Sequence, residues 1–138
     1  MKRCRTQRSR RFVLLALGLL PLLTTMPATA HHSLLAEFDP EKTVELTGVV
    51  AKIEWTNPHT YIYMDVRTGG GMERWAWQLA SPNGLVRHGW SPNSIQVGDR
   101  ITVNGTPARD GSRKANTRSV LLGDGQMLSA TLGEKDEP

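Results

Sequence analysis

Hydrophobic and polar residues alternate along much of the chain, with the two-residue period that is typical of β-strands with one buried face. The alternation predicts a long first strand at 44–55 that bends at a bulge at Gly48. It predicts two further strands at 59–67 and 72–79, joined by a turn at three consecutive glycines. The first half of the domain is therefore expected to consist of three consecutive strands.

A short helix is predicted after the third strand. Ser81 is placed as its N-cap and Pro82 as its first residue, and the helix is expected to end at Gly89. Further strands are predicted at 101–104, 117–122 and 126–130. Three strands, a short helix and two or three more strands are the order of an OB-fold. We therefore predict an all-β domain with one short helix, a small OB-fold-like barrel of five to six strands, with an open β-sandwich or roll as the alternative.

The N-terminal segment has the pattern of an export signal. A basic start, an apolar run at 12–23 and small residues up to Ala30 indicate a signal peptide that is cut after Ala30. The pair Arg10-Arg11 fits twin-arginine export, and a general secretory signal fits as well. The run is short for a membrane span, so we expect a periplasmic protein with no transmembrane span in the mature chain. The expected division is a signal peptide at 1–30, an N-terminal arm at 31–43, a barrel at 44–132 and a charged, disordered tail at 133–138.

Removal of the signal peptide changes the charge of the chain. Six of the 17 basic residues lie in it and none of the 13 acidic residues do, so the mature chain has a formal charge near −2. Phosphate binding relies on a cationic surface, and nucleic acid is therefore not expected as a partner. The single cysteine, Cys4, is removed as well, which excludes disulfide and thiol chemistry from the mature domain.

Short motifs along nearly the whole mature chain carry a resemblance to a known family. They are His31-His32-Ser33, Phe38-Asp39, Gly48-Val49-Val50, Glu54-Trp55-Thr56-Asn57-Pro58-His59, Ser81-Pro82-Asn83, Gly89-Trp90, Gly98-Asp99 and Asn116-Thr117-Arg118-Ser119-Val120. Through them the chain resembles small exported proteins of Gram-negative bacteria that are grouped as domain of unknown function 6152. The resemblance implies an exported location and a small β-barrel. It implies no activity, so the chemistry has to be argued from the residues.

Histidines provide the first candidate site. Cleavage after Ala30 would leave His31 at the N-terminus, where its α-amine and ring nitrogen form a chelate. His32 or His59 would then complete a three-nitrogen site for Cu(II) that resembles a copper histidine brace. Cleavage after Ala28 would place His31 third, which resembles an amino-terminal Cu(II)/Ni(II) motif. The alternative is that His31 and His32 form a solvated leader and that His59 caps a turn.

Large aromatic side chains provide the second candidate site. They are Trp55, Tyr61, Tyr63, Trp75, Trp77 and Trp90. Tyr61 and Tyr63 share a face of the second predicted strand, and Trp75 and Trp77 share a face of the third. If the two sets align, they form a continuous aromatic surface on the strands where OB-folds bind oligonucleotides or oligosaccharides. The alternative is that the rings fill the barrel and cover its ends.

Catalysis is not expected from this sequence. It contains no nucleophile elbow, phosphate loop or HExxH zinc motif. Glu54 and Asp65 are interpreted as solvated carboxylates rather than as an acid and a base. The sequence therefore predicts an exported binding or accessory module that takes Cu(II) or another divalent metal at its N-terminal histidines. The alternative is a non-metal module that holds a glycan, a small hydrophobic ligand or an exported partner protein on its aromatic face.

Overall fold

The computed structural model describes residues 33–131. Its elements are α1 (Ser33–Glu37), β1 (Val44–Glu54), β2 (Tyr61–Thr68), β3 (Gly71–Gln78), α2 (Pro82–Arg87), β4 (Arg100–Pro107), β5 (Lys114–Leu121) and β6 (Met127–Ser129). The expected signal peptide, His31, His32 and the expected tail at 133–138 lie outside the described residues.

Five of these strands close a barrel. β1 pairs antiparallel with β2 and with β4, β2 pairs with β3, and β4 pairs with β5. A parallel ladder between β3 and the start of β5 closes the circle, and β6 pairs with the second half of β5. The long β1 pairs with two neighbours: its first half pairs with β4, and its second half pairs with β2. This strand order, with α2 between β3 and β4, is that of an OB-fold and confirms the predicted small barrel.

The predicted faces of β2 and β3 are confirmed by the burial of their side chains. Ile62 and Met64 point into the barrel and are fully buried, with Trp77 opposite Ile62 in the ladder. Tyr61 and Tyr63 alternate with these two residues along β2, so they lie on the outer face and remain partly exposed. A single strand therefore supplies both a core surface and an outer surface.

The bulge in β1 lies between Val50 and Lys52, so its prediction at Gly48 is wrong. Gly48 is needed for a different reason. A Cβ at this position would lie 2.5 Å from the carbonyl oxygen of Asp65 and 2.8 Å from Cγ of Met64. The glycine therefore permits a close approach of β1 to β2, and the bend is made two to three residues further on.

The predicted helix begins at its expected cap. The hydroxyl of Ser81 accepts a hydrogen bond from the Gly84 amide at 3.2 Å, and Pro82 occupies the first helical turn. Trp90 follows the helix and packs in the core, where its Nε1 donates to the Ser129 carbonyl at 2.6 Å. This hydrogen bond ties the segment after α2 to the short strand β6.

The N-terminal arm packs against the loop between β4 and β5. Phe38 is buried and forms an isolated bridge with Ala108. The Arg109 amide donates to the Glu37 carbonyl at 2.9 Å, and the Arg109 side chain donates to the Leu35 carbonyl at 3.1 Å. The arm therefore rests on the barrel beside the start of β5.

Candidate functional site

The outer surface of β1, β2, β3 and β5 brings eight residues into two rows. One row is Glu54, Tyr61, Gln78 and Asn116, and the other is Lys52, Tyr63, Ala76 and Lys114. Neighbours within a row are paired directly across adjacent strands, so their side chains share one face of the sheet. We call these eight residues the tyrosine face.

Two tyrosine rings form the centre of this face. The ring centroids of Tyr61 and Tyr63 lie 6.3 Å apart, and the ring planes differ by 25°. The Tyr61 hydroxyl donates to Oε1 of Gln78 at 2.7 Å, and the Tyr63 hydroxyl donates to Oε2 of Glu54 at 3.0 Å. Because both hydroxyls are bound, the ring orientations are fixed before a ligand arrives, which reduces the entropy lost on binding.

A lysine ammonium group lies over each ring. Nζ of Lys52 is 5.5 Å from the ring centroid of Tyr63, and Nζ of Lys114 is 5.6 Å from that of Tyr61. Both distances fall within the range of cation–π attraction. Lys114 also lies 5.6 Å from the ring of Phe38, so the N-terminal arm reaches the border of the tyrosine face.

Contacts within the face also shift the pKa values of three of its groups, each in the direction that favours its state at neutral pH. The hydrogen bond from Lys52, and then that from Tyr63, lowers the pKa of the Glu54 carboxyl. The same bond to Glu54 raises the pKa of Lys52. Burial, followed by the neighbouring Glu54, raises the pKa of Tyr63. At neutral pH the face therefore presents a carboxylate, an ammonium group and a protonated phenol side by side.

Both lysines of the tyrosine face are paired with carboxylates. Lys52 binds Glu54, and Lys114 binds Glu37 of α1. Asp65, the next residue on the same side of β2, is bound by Arg74 through two hydrogen bonds of 2.8 and 2.9 Å. Neither lysine of the face is therefore free of a carboxylate.

The aromatic residues predicted as one surface lie on opposite sides of the sheet. Trp77 pairs with Ile62 and Trp75 with Met64, which places both tryptophans on the inner face, away from the tyrosines. The two sets therefore do not align, because their pairing differs by one residue and side chains alternate with a period of two. Trp77 is 0% exposed and belongs to the core, as the alternative interpretation held.

The remaining tryptophans, Trp55 and Trp90, lie at one end of the barrel. They line a crevice with Ile53, Thr60, Ile62, Ser91, Pro92 and Ile95. The crevice has room for about one water molecule, far less than the several hundred cubic ångströms of a ligand pocket. Trp90 is 4% exposed and Trp55 packs against the core, so both rings serve to close this end.

Of the predicted metal ligands, His59 is the one that lies within the described residues. It is partly exposed, and its Nδ1 is buried without a hydrogen-bond partner among residues 33–131. It lies in the loop between β1 and β2, two residues before Tyr61. No group of three or more His, Cys, Asp or Glu residues within 33–131 is arranged to hold a metal ion. A metal site at His59 with three such ligands would therefore need at least one from outside the described residues.

Sequence reasoning missed the two lysines of the tyrosine face. Lys114 reaches it through the parallel pairing of β5 with β3, which the local pattern of a strand does not encode. Lys52 lies beyond the bulge, which shifts the alternation along β1 by one residue. Recognition of a bulge between Val50 and Lys52 would have placed Lys52 beside Tyr63.

The fold and its outer face define a small OB-fold-like barrel with an aromatic surface bordered by paired charges. The chain belongs to a family of unknown function (DUF6152), whose family model matches residues 21–117. The match runs from before α1 into β5, and the family's description gives no activity. No curated protein matches the chain. Within 33–131, no helix has the length and apolar character of a membrane span.

Proposed function

We propose that this chain is an exported binding module that holds its ligand on the tyrosine face and carries out no catalysis. The observation that carries the proposal is the pair of partly exposed tyrosines, Tyr61 and Tyr63, with their hydroxyls held by Gln78 and Glu54. These rings lie on β2, and the surface of strands two and three is where OB-folds bind oligomeric ligands. The signal-like segment at 1–30 supports export to the periplasm.

The composition of the face suits reversible binding. Aromatic rings offer apolar contact with few rotatable bonds, and the polar groups around them fix the orientation of what binds. Lys52 provides donors and Glu54 provides acceptors, whereas Gln78 is buried and holds the Tyr61 hydroxyl. The tyrosine face is an open sheet surface, so the ligand would lie along it; the crevice at Trp55 and Trp90 has room for only about one water.

Mapping of ligand contacts by NMR tests this proposal. Isotope-labelled protein is titrated with three probes: cellohexaose, hexagalacturonate and dodecyl maltoside below its micellar concentration. We expect amide shift changes to cluster around Tyr61 and Tyr63, and to vanish in a double Tyr61→Ala, Tyr63→Ala variant whose thermal unfolding is checked. Met127→Ala, which trims an exposed side chain of β6 outside the face, is the matched control and should leave the shifts intact. Changes confined to other surfaces, or none with any probe, would overturn the proposal.

A second candidate function is the binding of Cu(II), which the unpartnered Nδ1 of His59 supports. A buried polar atom without a partner costs about 1–3 kcal/mol, and a ligand that binds the imidazole would offset this cost. Neutral imidazole is a favoured ligand of Cu(II). The α-amine and ring of His31 would form the chelate after cleavage behind Ala30, and His32 or His59 would provide the third nitrogen.

Titration with Cu(II) tests the second candidate on protein that has been exported in vivo, with its N-terminus checked by intact mass. We expect one-to-one binding below micromolar concentration, lost when three alanines are inserted before His31, which leaves no histidine among the first three residues, and weakened in His59→Ala if that ring is the third ligand. His88→Ala is the control, because the His88 ring lies within hydrogen-bond distance of the Gly84 carbonyl at the end of α2. A millimolar Cu(II) affinity, or an affinity that the N-terminal insertion leaves unchanged, would refute the chelate.

A further inference from the structure

The paired lysines of the tyrosine face restrict the class of ligand that it can take. Both of its cations, Lys52 and Lys114, are bound to carboxylates, so neither offers a free charge to an anion. Polyanions are attracted by unpaired cations, and a polyanion here would have to displace a carboxylate from each cation that it used. Phosphate-rich, sulfated and uronate ligands are therefore disfavoured.

Apolar ligands are disfavoured by the surroundings of the rings. None of the large hydrophobic side chains that are exposed within residues 33–131 belongs to the tyrosine face. Lys52, Glu54 and Lys114 border the two rings, and a lipid or an apolar protein surface would have to remove these charged groups from water. The face lacks the contiguous apolar patch that such partners require.

A neutral sugar satisfies both restrictions. Its C–H face stacks on a tyrosine ring, and its hydroxyls, which donate and accept, can bind an ammonium and a carboxylate of the same pair without separating charge. Two nearly parallel rings 6.3 Å apart offer successive contacts, which favours an oligosaccharide over a single sugar. Ala76, between Tyr63 and Lys114 in its row, has a small side chain and leaves room beside the ring. We propose that the tyrosine face binds a neutral oligosaccharide that spans Tyr61 and Tyr63, an inference that rests on the proposed binding function.

Dissociation constants for oligosaccharides of equal length test the proposal. Cellohexaose, laminarihexaose and maltohexaose are the neutral probes, and hexagalacturonate is the anionic one. We expect one neutral probe at least to bind about tenfold more tightly than hexagalacturonate. Tyr61→Ala and Tyr63→Ala should each weaken that binding about two- to tenfold, whereas the Phe variants, which keep the rings and lose only the hydroxyl bonds that orient them, should each weaken it less than the corresponding Ala variant. Met127→Ala should have no effect.

A charge variant provides an independent readout of the same inference. Glu54→Gln keeps the size of the side chain and leaves Lys52 without its carboxylate, which makes the charge of the face more positive by one unit. We expect this variant to bind hexagalacturonate more tightly and the neutral probe more weakly than wild type does. The ratio of the neutral-probe affinity to the hexagalacturonate affinity should therefore fall. A general loss of folding would instead weaken the binding of both probes.

The outcomes separate the ligand class from the binding function itself. If wild type prefers hexagalacturonate, or only dodecyl maltoside binds, and the tyrosine variants abolish that binding, the neutral class is wrong and the binding function stands. If no probe perturbs the tyrosine face, the binding function and the ligand class are both overturned. An unchanged affinity ratio in Glu54→Gln would refute the argument that the paired lysines exclude anionic ligands.

Discussion

Substitution of Trp77 distinguishes the core of the barrel from its binding face. The residue is 0% exposed, pairs with Ile62 on β2 and with Ala115 on β5, and lies where the parallel ladder closes the barrel. Trp77→Ala removes a whole ring from this junction and leaves a cavity. Truncations of buried aromatic residues cost about 3–5 kcal/mol, and we expect a loss of unfolding free energy in this range.

Trp77→Phe gives a finer test of the same site. Nε1 of Trp77 is buried without a hydrogen-bond partner among the described residues. Phenylalanine keeps much of the ring contact and removes this unsatisfied donor, whose burial costs about 1–3 kcal/mol. We therefore expect Trp77→Phe to cost only about 1–2 kcal/mol, because relief of the unpaired N–H offsets part of the lost packing.

Urea unfolding followed by far-ultraviolet circular dichroism measures both variants, with Tyr63→Ala as the comparison on the outer face. Tyr63→Ala loses the hydrogen bond to Glu54 and should cost about 1 kcal/mol. If Trp77→Ala were no more destabilising than Tyr63→Ala, the assignment of Trp77 to the core would be refuted. If Trp77→Phe cost as much as Trp77→Ala, the unpaired N–H would not carry the energy assigned to it.

Two further predictions concern the backbone and the ion pairs. Gly105→Ala should destabilise the protein by about 1–3 kcal/mol in urea unfolding, because its Cβ would collide with the carbonyl oxygen of Asn116. Gly123→Ala, whose Cβ would lie 3.5 Å from its nearest neighbour, should stay within about 0.5 kcal/mol of wild type. The hydrogen bond from Arg74 lowers the pKa of Asp65, so its contribution to stability is present above the unfolded pKa of about 3.9 and is lost as the pH falls through the folded value. Urea midpoints of wild type and Asp65→Asn should therefore differ at pH ~7, and the difference should shrink as the pH falls below about 3.9; a difference that does not change with pH would contradict this assignment.

The sequence predicted the features of the fold that depend on local alternation. The faces of β2 follow from the two-residue period, because apolar Ile62 and Met64 alternate with Tyr61 and Tyr63. The start of α2 follows from the hydroxyl of Ser81, which satisfies an amide of the first helical turn. The bulge in β1 was predicted at the wrong position, because Gly48 is required by contact with β2 and the bulge lies between Val50 and Lys52.

The candidate site was predicted only in part, because it depends on pairing between distant strands. Tyr61 and Tyr63 could be identified from their own strand. Their separation from Trp75 and Trp77 depends on the register of β2 against β3, which the sequence pattern of either strand alone leaves open. Lys114 joins the face only because β5 returns parallel to β3, and no short-range signal predicts that contact.

Strand register links the stability of the barrel to the geometry of its binding face. A slip of β2 by one residue would turn Ile62 outward and Tyr61 inward, which would destroy the core and the tyrosine face together. The hydrogen bond from Tyr61 to Gln78 spans β2 and β3, and that from Tyr63 to Glu54 spans β2 and β1. These bonds join β2 to both of its neighbours on the outer side, while Ile62 packs in the core on the inner side. The two tyrosine side chains are therefore held in place by the same strand pairing that closes the barrel.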